Sequence, residues 1–162
     1  PYPLIGLEGK IGERGPQHLC NIYSLEEELY DVVMETAKEY EAIAEEIVEY
    51  DELECEDAQV IVISHGVVSR AAEDAVKTLR TQGLKVGYFR PITLRPFPQK
   101  QLREAIAKSG TKKLLVAESA YGQLDKLIKQ EIYGETVTIE QLFMPGVGIV
   151  DYDIIKKVKE II

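Results

Sequence analysis

The run Val60-Ile61-Val62-Ile63 constrains the fold of this chain more than any other feature. A succession of β-branched residues is typical of a strand that is buried on both faces of a sheet. From residue 58 onward, predicted strands alternate with helical apolar stripes in units of about 25 residues. Repeated units of this kind form right-handed crossovers between parallel strands. The sequence therefore predicts a three-layer α/β/α domain with a mostly parallel sheet of five strands.

The remaining elements follow the same alternation. The predicted parallel strands are 60–63, 84–89, 114–117 and 137–139. The predicted helices between them end at Gly83, Gly110 and Gly134. A last helix is expected to be capped by Asp151 or Asp153. Residues 49–54 alternate weakly and carry many charges, which suits a strand at the edge of the sheet.

The part of the chain before this alternation divides into two segments. Residues 1–23 have no periodicity and are expected to form an irregular arm or a truncated loop. Ser24 and Glu27 form a capping box, which predicts a long amphipathic acidic helix over residues 24–48. The α/β domain is then expected to span residues 49–162, and the chain itself, which begins at Pro1, to be a processed chain or a piece of a longer one.

The distribution of charge limits the class of partner. The net charge is −9, and residues 1–57 contain 17 acidic and 3 basic side chains. An acidic first third argues against nucleic-acid binding, which needs a basic face. Cys20 and Cys55 are two lone cysteines, and neither belongs to a C-x-x-C motif, so neither a structural zinc site nor an iron–sulfur cluster can be built from this chain alone. Both are expected to be reduced thiols. We find neither a secretion signal nor an apolar run that would span a membrane, so the expected location is the cytoplasm.

The segment from Arg90 to Pro98 contains three prolines directly after a predicted strand. Pro91 is expected to end the strand, because it cannot donate a hydrogen bond to the ladder. Pro98 is expected to begin the next helix in its first turn. The alternative is a polyproline ligand for another protein, but the segment lies between elements that are both predicted to be buried.

The carboxyl ends of parallel strands are where ligands bind in such a sheet. The candidate ligand or interdomain contacts at these ends are His65, Arg90, Thr93, Arg95, Glu118, Gly122 and Gln123. His65 is either a turn histidine with a local hydrogen bond or a contact to a ligand or another domain. The two arginines are suited equally to a phosphate or carboxylate and to salt bridges with a partner domain. Gly122 and Gln123 open a helix whose N-terminus attracts anions, but the nearby Glu118 opposes this, so interdomain hydrogen bonding is favoured. No catalytic nucleophile–base pair is visible.

Several of these segments resemble a known enzyme family. The run from Val60 to Ile106 is similar to the transketolase C-terminal-type domain of thiamine-diphosphate enzymes. Within that superfamily, "RPITLRPFP", "VAESAYGQLDKLI" and the acidic "EEIVEYDELECEDAQ" resemble the α chain of the 2-oxoacid:ferredoxin oxidoreductases. The resemblance covers about residues 40–162. It implies a sheet of five strands whose first strand is antiparallel at an edge, a role that the weak strand near residues 49–54 fits.

The resemblance implies an oxidoreductase of anaerobic ketoacid metabolism. Enzymes of this family decarboxylate a 2-oxoacid on thiamine diphosphate with Mg²⁺, reduce ferredoxin through iron–sulfur clusters and release acyl-CoA. The implied role of this domain is structural: it would bind no cofactor or metal by itself and be inactive in isolation. Its implied partners are the preceding domain of the α chain and a β subunit, with ferredoxin and CoA reached through the complex. The loop arginines could contact CoA, and a homodimer is expected if the stripe of the long helix is left uncovered.

Two alternatives stay open at this point. The domain could be the equivalent part of a transketolase or of a 2-oxoacid dehydrogenase E1 component. It could also be a free-standing small α/β binding protein. A glycine-rich loop is missing after Ile63, which counts against nucleotide binding by such a protein.

Overall fold

The computed structural model describes residues 22–162. The chain divides into two compact units, with the boundary between Ile43 and Ala44. The predicted arm over residues 1–23 lies almost entirely outside the described residues, and the predicted domain division stays a prediction. Along the described part of the chain, no helix combines the length and the apolar character needed to cross a membrane.

The elements alternate as the sequence predicts. The helices are α1 (Glu26–Ile47), α2 (Val68–Thr81), α3 (Gln99–Ser109), α4 (Gln123–Glu131) and α5 (Asp151–Ile161). The strands are β1 (Tyr50–Leu53), β2 (Val60–Ile63), β3 (Val86–Pro91), β4 (Lys113–Glu118) and β5 (Thr138–Phe143).

The five strands form one sheet in the order β1-β3-β2-β4-β5. Strands β3, β2, β4 and β5 run parallel to one another, and β1 pairs antiparallel with β3 at the edge of the sheet. This confirms the mostly parallel sheet with an antiparallel edge strand. The chain order reverses at β2, since β3 lies on one side of it and β4 on the other. The gap between the carboxyl ends of β2 and β4 is therefore the topological switch point.

The core has two apolar layers, one on each face of the sheet. Val60 and Val62 of β2 pack with α2 and α5 on one face. Ile61 and Ile63 pack with α3 and α4 on the other face. All four side chains are fully buried, because the strand has helices on both sides. The predicted three-layer α/β/α architecture is thereby confirmed.

Helix α1 differs from the other helices in its burial. None of its residues is buried, and its apolar side chains are largely exposed to solvent. The sequence predicts an amphipathic stripe here, and the stripe is uncovered in this structure. The pairing of two copies through it stays a prediction.

Several element boundaries differ from those predicted, among them the start of α1, which is Glu26 and not the residue after Ser24. Three of the differences have a clear structural reason. The second parallel strand is 86–91 and not 84–89, because its last residues, Arg90 and Pro91, pair with β1. The fourth is 138–143 and not 137–139, because all six residues pair with β4 in spite of their polar character.

The start of the last helix is the third difference. Neither Asp151 nor Asp153 is the N-cap residue, since that position belongs to Val150. Asp153 acts from inside the first turn, where its carboxylate accepts a hydrogen bond of 3.1 Å from the Val150 backbone N–H. Pro98 also stands one position earlier than predicted, at the N-cap of α3.

Candidate functional site

The carboxyl ends of the four parallel strands meet at one edge of the sheet. We call this the carboxyl edge, defined by the loops that follow the strands: 64–67 after β2, 92–98 after β3, 119–122 after β4 and 144–150 after β5. Across the sheet, these loops follow the order of the strands: the loop after β3 is at one end, and the loops after β2, β4 and β5 follow it. All candidate site residues predicted from the sequence lie in these loops or in residues directly next to them.

Glu118 ends β4 and is almost fully buried, with 1% of its surface exposed. Its two carboxylate oxygens accept hydrogen bonds from the backbone N–H groups of Leu124 at 3.0 Å and of Asp125 at 3.3 Å. These donors belong to the first turn of α4, where helical N–H groups have no partner within the helix. The Glu118 carboxylate therefore occupies the N-terminus of α4, which is the position that an external anion would need.

Gly122 and Gln123 organise the turn between β4 and α4. Gly122 has a φ of 89°, in the left-handed region that favours glycine, and a Cβ there would lie 3.4 Å from the ring of Phe143. The Gln123 side chain accepts a hydrogen bond of 2.9 Å from the Tyr121 backbone N–H. This turn holds the Tyr121 ring against Phe143, with ring centroids 6.2 Å apart, while 77% of Tyr121 stays exposed.

The loop after β3 is tied to the beginning of β1. Thr93 Oγ1 accepts a hydrogen bond from the Glu49 backbone N–H at 3.0 Å. The Glu49 carbonyl in turn accepts from the backbone N–H groups of Ile92 and Thr93 at 3.0 and 3.1 Å. Thr93 thus has a local structural task, and the Arg95 side chain beyond it is exposed.

Arg90 and His65 are the basic residues nearest to the centre of the edge. Arg90 forms an ion pair with Asp51 of β1 at 3.2 Å, and its Nε atom is buried without a hydrogen-bond partner among residues 22–162. His65 is half-buried in the turn after β2, next to the fully buried Ser64. Arg90 is therefore partly neutralised, and a role for either residue in binding a ligand stays a prediction.

The sequence reasoning missed the apolar character of this edge. Tyr121, Val67 and Val147 are not among the candidate residues predicted from the sequence. All three side chains are exposed, by 77%, 81% and 59%. A usable signal is present in the sequence: the four loops of the carboxyl edge contain no aspartate or glutamate, although the chain is strongly acidic.

Cys55 lies away from this edge, between β1 and β2. It is 5% exposed, and its Sγ donates a hydrogen bond of 3.1 Å to the Tyr88 carbonyl. Burial, with a smaller contribution from the Glu52 carboxylate, raises the pKa of the Cys55 thiol to about 11. Cys20, the other cysteine, lies outside the described residues.

We expect the Cys55 thiol to be unreactive in the folded protein. Since only the thiolate reacts and the pKa is raised from 9.0 to about 11, alkylation at pH 8 should be about 100-fold slower than in the unfolded chain from ionisation alone. The measurement is the rate of iodoacetamide labelling in a Cys20→Ser variant, with the same variant in concentrated guanidinium chloride as the control. A folded-state rate within a factor of about ten of the unfolded rate would contradict the burial of this thiol.

No group of three or more His, Cys, Asp or Glu side chains within residues 22–162 is arranged to hold a metal ion. The geometry of the carboxyl edge thus consists of a buried carboxylate, a paired arginine and exposed apolar side chains. Such an arrangement is suited to contact with another protein surface.

Comparison with known proteins identifies the family. Residues 58–154 match the sequence model of pyruvate:ferredoxin oxidoreductase core domain II. This chain belongs to that family. The match covers the α/β sheet from before β2 into α5, including the whole carboxyl edge, and it confirms the family indicated by the sequence segments.

Relatives with the same segments are subunits of enzymes of this kind. The chain is 37% identical over 125 residues to ketoisovalerate oxidoreductase subunit VorB of Methanothermobacter marburgensis, covering 76% of this chain and 34% of that protein. It is 44% identical over 69 residues to 2-oxoglutarate synthase subunit KorA of the same organism, covering 43% of this chain and 18% of that protein. The chain thus spans about a third of the length of the VorB relatives that it matches.

Solved structures share the fold. A 2-oxoglutarate:ferredoxin oxidoreductase from Magnetococcus marinus matches with a TM-score of 0.67 and 22% identity, over 92% of this chain and 25% of that chain. A split-gene transketolase matches with a TM-score of 0.56 and 17% identity, over 68% of this chain and 40% of that chain. At these identities the two matches establish the fold alone, which is the mostly parallel α/β fold expected from the sequence.

Proposed function

We propose that this chain is a domain of the α-type subunit of a 2-oxoacid:ferredoxin oxidoreductase. Such an enzyme converts a 2-oxoacid to acyl-CoA and carbon dioxide and reduces ferredoxin. The observation that carries the proposal is the match of residues 58–154 to a core domain of pyruvate:ferredoxin oxidoreductase. Relatives named as ketoisovalerate oxidoreductase, 2-oxoglutarate synthase and pyruvate synthase subunits support the same class of reaction.

Within that enzyme, the role that we propose for this domain is assembly and not chemistry. The polar candidate residues of the carboxyl edge have local structural partners: Glu118 has the backbone of α4, Thr93 has Glu49 and Arg90 has Asp51. A side chain committed in this way stabilises its own domain. The isolated chain is accordingly proposed to be inactive.

The cofactors of such an enzyme are proposed to lie elsewhere in the assembly. Thiamine diphosphate with Mg²⁺ and iron–sulfur clusters need carboxylate, amide or thiolate ligands grouped around a site. Within residues 22–162, the thiol of Cys55 is buried and bonded to a carbonyl, and the Glu118 carboxylate is occupied by α4, so neither fits as a ligand. We therefore derive no step of the reaction through residues of this chain.

The proposed partners are the rest of the α-type subunit and a β subunit, with ferredoxin and CoA bound by the complex. Arg95 and Arg90 are candidates for contact with CoA or with a neighbouring domain, as are His65 and the Gly122-Gln123 turn. A cytoplasmic location is proposed as well, because the buried thiol of Cys55 is free and reducing compartments preserve free thiols. Pairing of two copies through α1 is a further proposal.

The experiment that tests this function is purification of the tagged native subunit with its partners under anaerobic conditions. We expect a brown complex that reduces ferredoxin only when a 2-oxoacid and CoA are present. Activity should be measured with 2-oxoisovalerate, 2-oxoglutarate and pyruvate, because relatives of all three kinds share sequence with this chain. A colourless complex with transketolase or dehydrogenase activity, or a chain without partners, would contradict the proposal.

A further inference from the structure

The two edges of the sheet differ in exposed apolar surface. Six large apolar side chains in the four loops of the carboxyl edge are between 40% and 81% exposed: Val67, Ile92, Leu94, Tyr121, Val147 and Val150. At the opposite edge, the loops 54–59, 82–85, 110–112 and 132–137 expose a single large apolar side chain, that of Tyr133. Apolar exposure concentrated on one side of a domain is typical of an interaction surface.

The two edges of the sheet also differ in the charge of their loops. The loops of the carboxyl edge contain Arg95 and His65 and no carboxylate, whereas the loops of the opposite edge contain four acidic residues, Glu54, Glu56, Asp57 and Glu135, and two lysines, Lys85 and Lys112. At the flanks of the carboxyl edge, Asp51 is paired with Arg90 and Asp153 with the Val150 backbone, while the side chains of Glu49 and Asp151 are exposed. The loops of the carboxyl edge are therefore less acidic than the rest of a chain with a net charge of −9, so an apolar protein surface can approach them with little charge repulsion.

The width of this surface favours a protein over a small ligand. The apolar residues are distributed over the loops of four adjacent strands, and neighbouring strands lie about 4.8 Å apart. The edge is therefore roughly 15 Å wide before side chains are added, which is the scale of a protein interface and not of a pocket that encloses a small molecule. Tyr121 lies next to the topological switch point, near the middle of this row.

We propose that the carboxyl edge docks onto the remainder of the α-type subunit, the part of the VorB-like relatives that this chain does not cover. This inference rests on the proposed function and adds the surface and its occupant. The relatives are about three times as long as the matched region, and this fold covers 25% of the matching oxidoreductase chain. In both cases the domain is one part of a larger polypeptide, so a neighbouring domain is available to cover this surface. The occupant contributes apolar contacts to Tyr121 and Val67.

Two matched tyrosines make the inference testable in the assembled enzyme. Tyr121 at the carboxyl edge is 77% exposed and Tyr133 at the opposite edge is 86% exposed. A photo-crosslinking benzoylphenylalanine is placed at either position, and the crosslinked peptides are identified by mass spectrometry after irradiation of the complex. We expect position 121 to crosslink to the uncovered part of the α-type subunit and position 133 to give no such product. Crosslinks from position 121 to the β subunit or to a second copy, or none at all, would overturn the inference.

A pair of charge variants gives an independent measurement. We expect Tyr121→Glu to lower the yield of assembled enzyme at least about tenfold, since an unpaired charge at an interface costs more than the 1.4 kcal/mol that corresponds to this factor. Tyr133→Glu is the control and should assemble like the unmodified chain. Equal assembly of both variants in an enzyme with 2-oxoacid-dependent activity would overturn the docking surface alone. If the unmodified chain yields no such enzyme, the proposed function fails, and this inference fails with it.

Discussion

Replacing Glu118 with alanine is expected to lower the free energy of unfolding by about 3 kcal/mol, because a hydrogen-bonded buried charge is removed and its donors are left without partners. The carboxylate accepts bonds from the backbone N–H groups of Leu124 and Asp125, and the side chain is 1% exposed. Water cannot replace these bonds without opening the junction between β4 and α4. The favourable interaction of the carboxylate with the N-terminus of the helix is lost as well. Urea denaturation, followed by circular dichroism, measures the effect.

The matched control for this prediction is Glu140→Ala. Glu140 lies on the neighbouring strand β5 and pairs with Lys157 of α5 at 3.7 Å, with 36% of its side chain exposed. An exposed ion pair of this kind contributes less than about 1 kcal/mol. Glu118→Gln should fall between the two variants, because it keeps one acceptor oxygen and the shape of the side chain. If Glu118→Ala costs no more than Glu140→Ala, the carboxylate does not cap α4 in solution.

Replacing Gly87 with alanine is expected to destabilise the domain by about 2–3 kcal/mol, which is the usual cost of overpacking a core. A Cβ at this position of β3 would lie 2.9 Å from the Cα of Cys55, 3.0 Å from the Cβ of Ala58 and 3.1 Å from the Cys55 Sγ. Two of these neighbours are backbone or directly attached to it, so the segment between β1 and β2 must shift to make room. The measurement is again the free energy of unfolding in urea.

Gly148→Ala serves as the control for Gly87→Ala. A Cβ at Gly148 meets nothing within 4 Å, and its backbone is outside the left-handed region. We therefore expect a change of less than about 0.5 kcal/mol, as for most surface substitutions. Adding Cys55→Ala to Gly87→Ala should recover only part of the lost stability, because the contact with the Cα remains. Equal stability of the two single variants would show that the close approach at Gly87 is absent in solution.

The differences between the predicted and the observed strand boundaries arise near the edges of the sheet. The sequence identifies β2 because burial on both faces requires apolar residues at every position. Strand β5 has a neighbour on one side only and includes Glu140 and Gln141, so the predicted strand contains only two of its six paired residues, Thr138 and Ile139. The end of β3 is likewise decided by its pairing with β1, since Arg90 and Pro91 face Asp51 and Tyr50 across the ladder. The hydrogen bonds that a partner strand provides leave no local pattern in the sequence, so they cannot be predicted from it.

The sequence indicates that the candidate residues lie at the carboxyl ends of the parallel strands, because these ends follow from the alternation of elements alone. Several roles of the side chains do not follow in the same way. Glu118 reads as an exposed contact residue until α4 is seen to place two N–H groups on its carboxylate. Thr93 reads as part of a ligand loop until Glu49, 44 positions away, is found bonded to it. Contacts over such distances in the chain are created by the fold.

The sequence by itself determines the fold class and the edge at which interactions are expected, because burial and connectivity leave periodic patterns that are read locally. The family follows from the resemblance of particular segments to those of known enzymes. Only the tertiary structure decides which polar groups of that edge are already occupied and which apolar side chains are exposed. Exposure depends on which elements lie beside a residue in space. The position of the carboxyl edge therefore follows from the sequence. Its chemical character follows only from the tertiary structure.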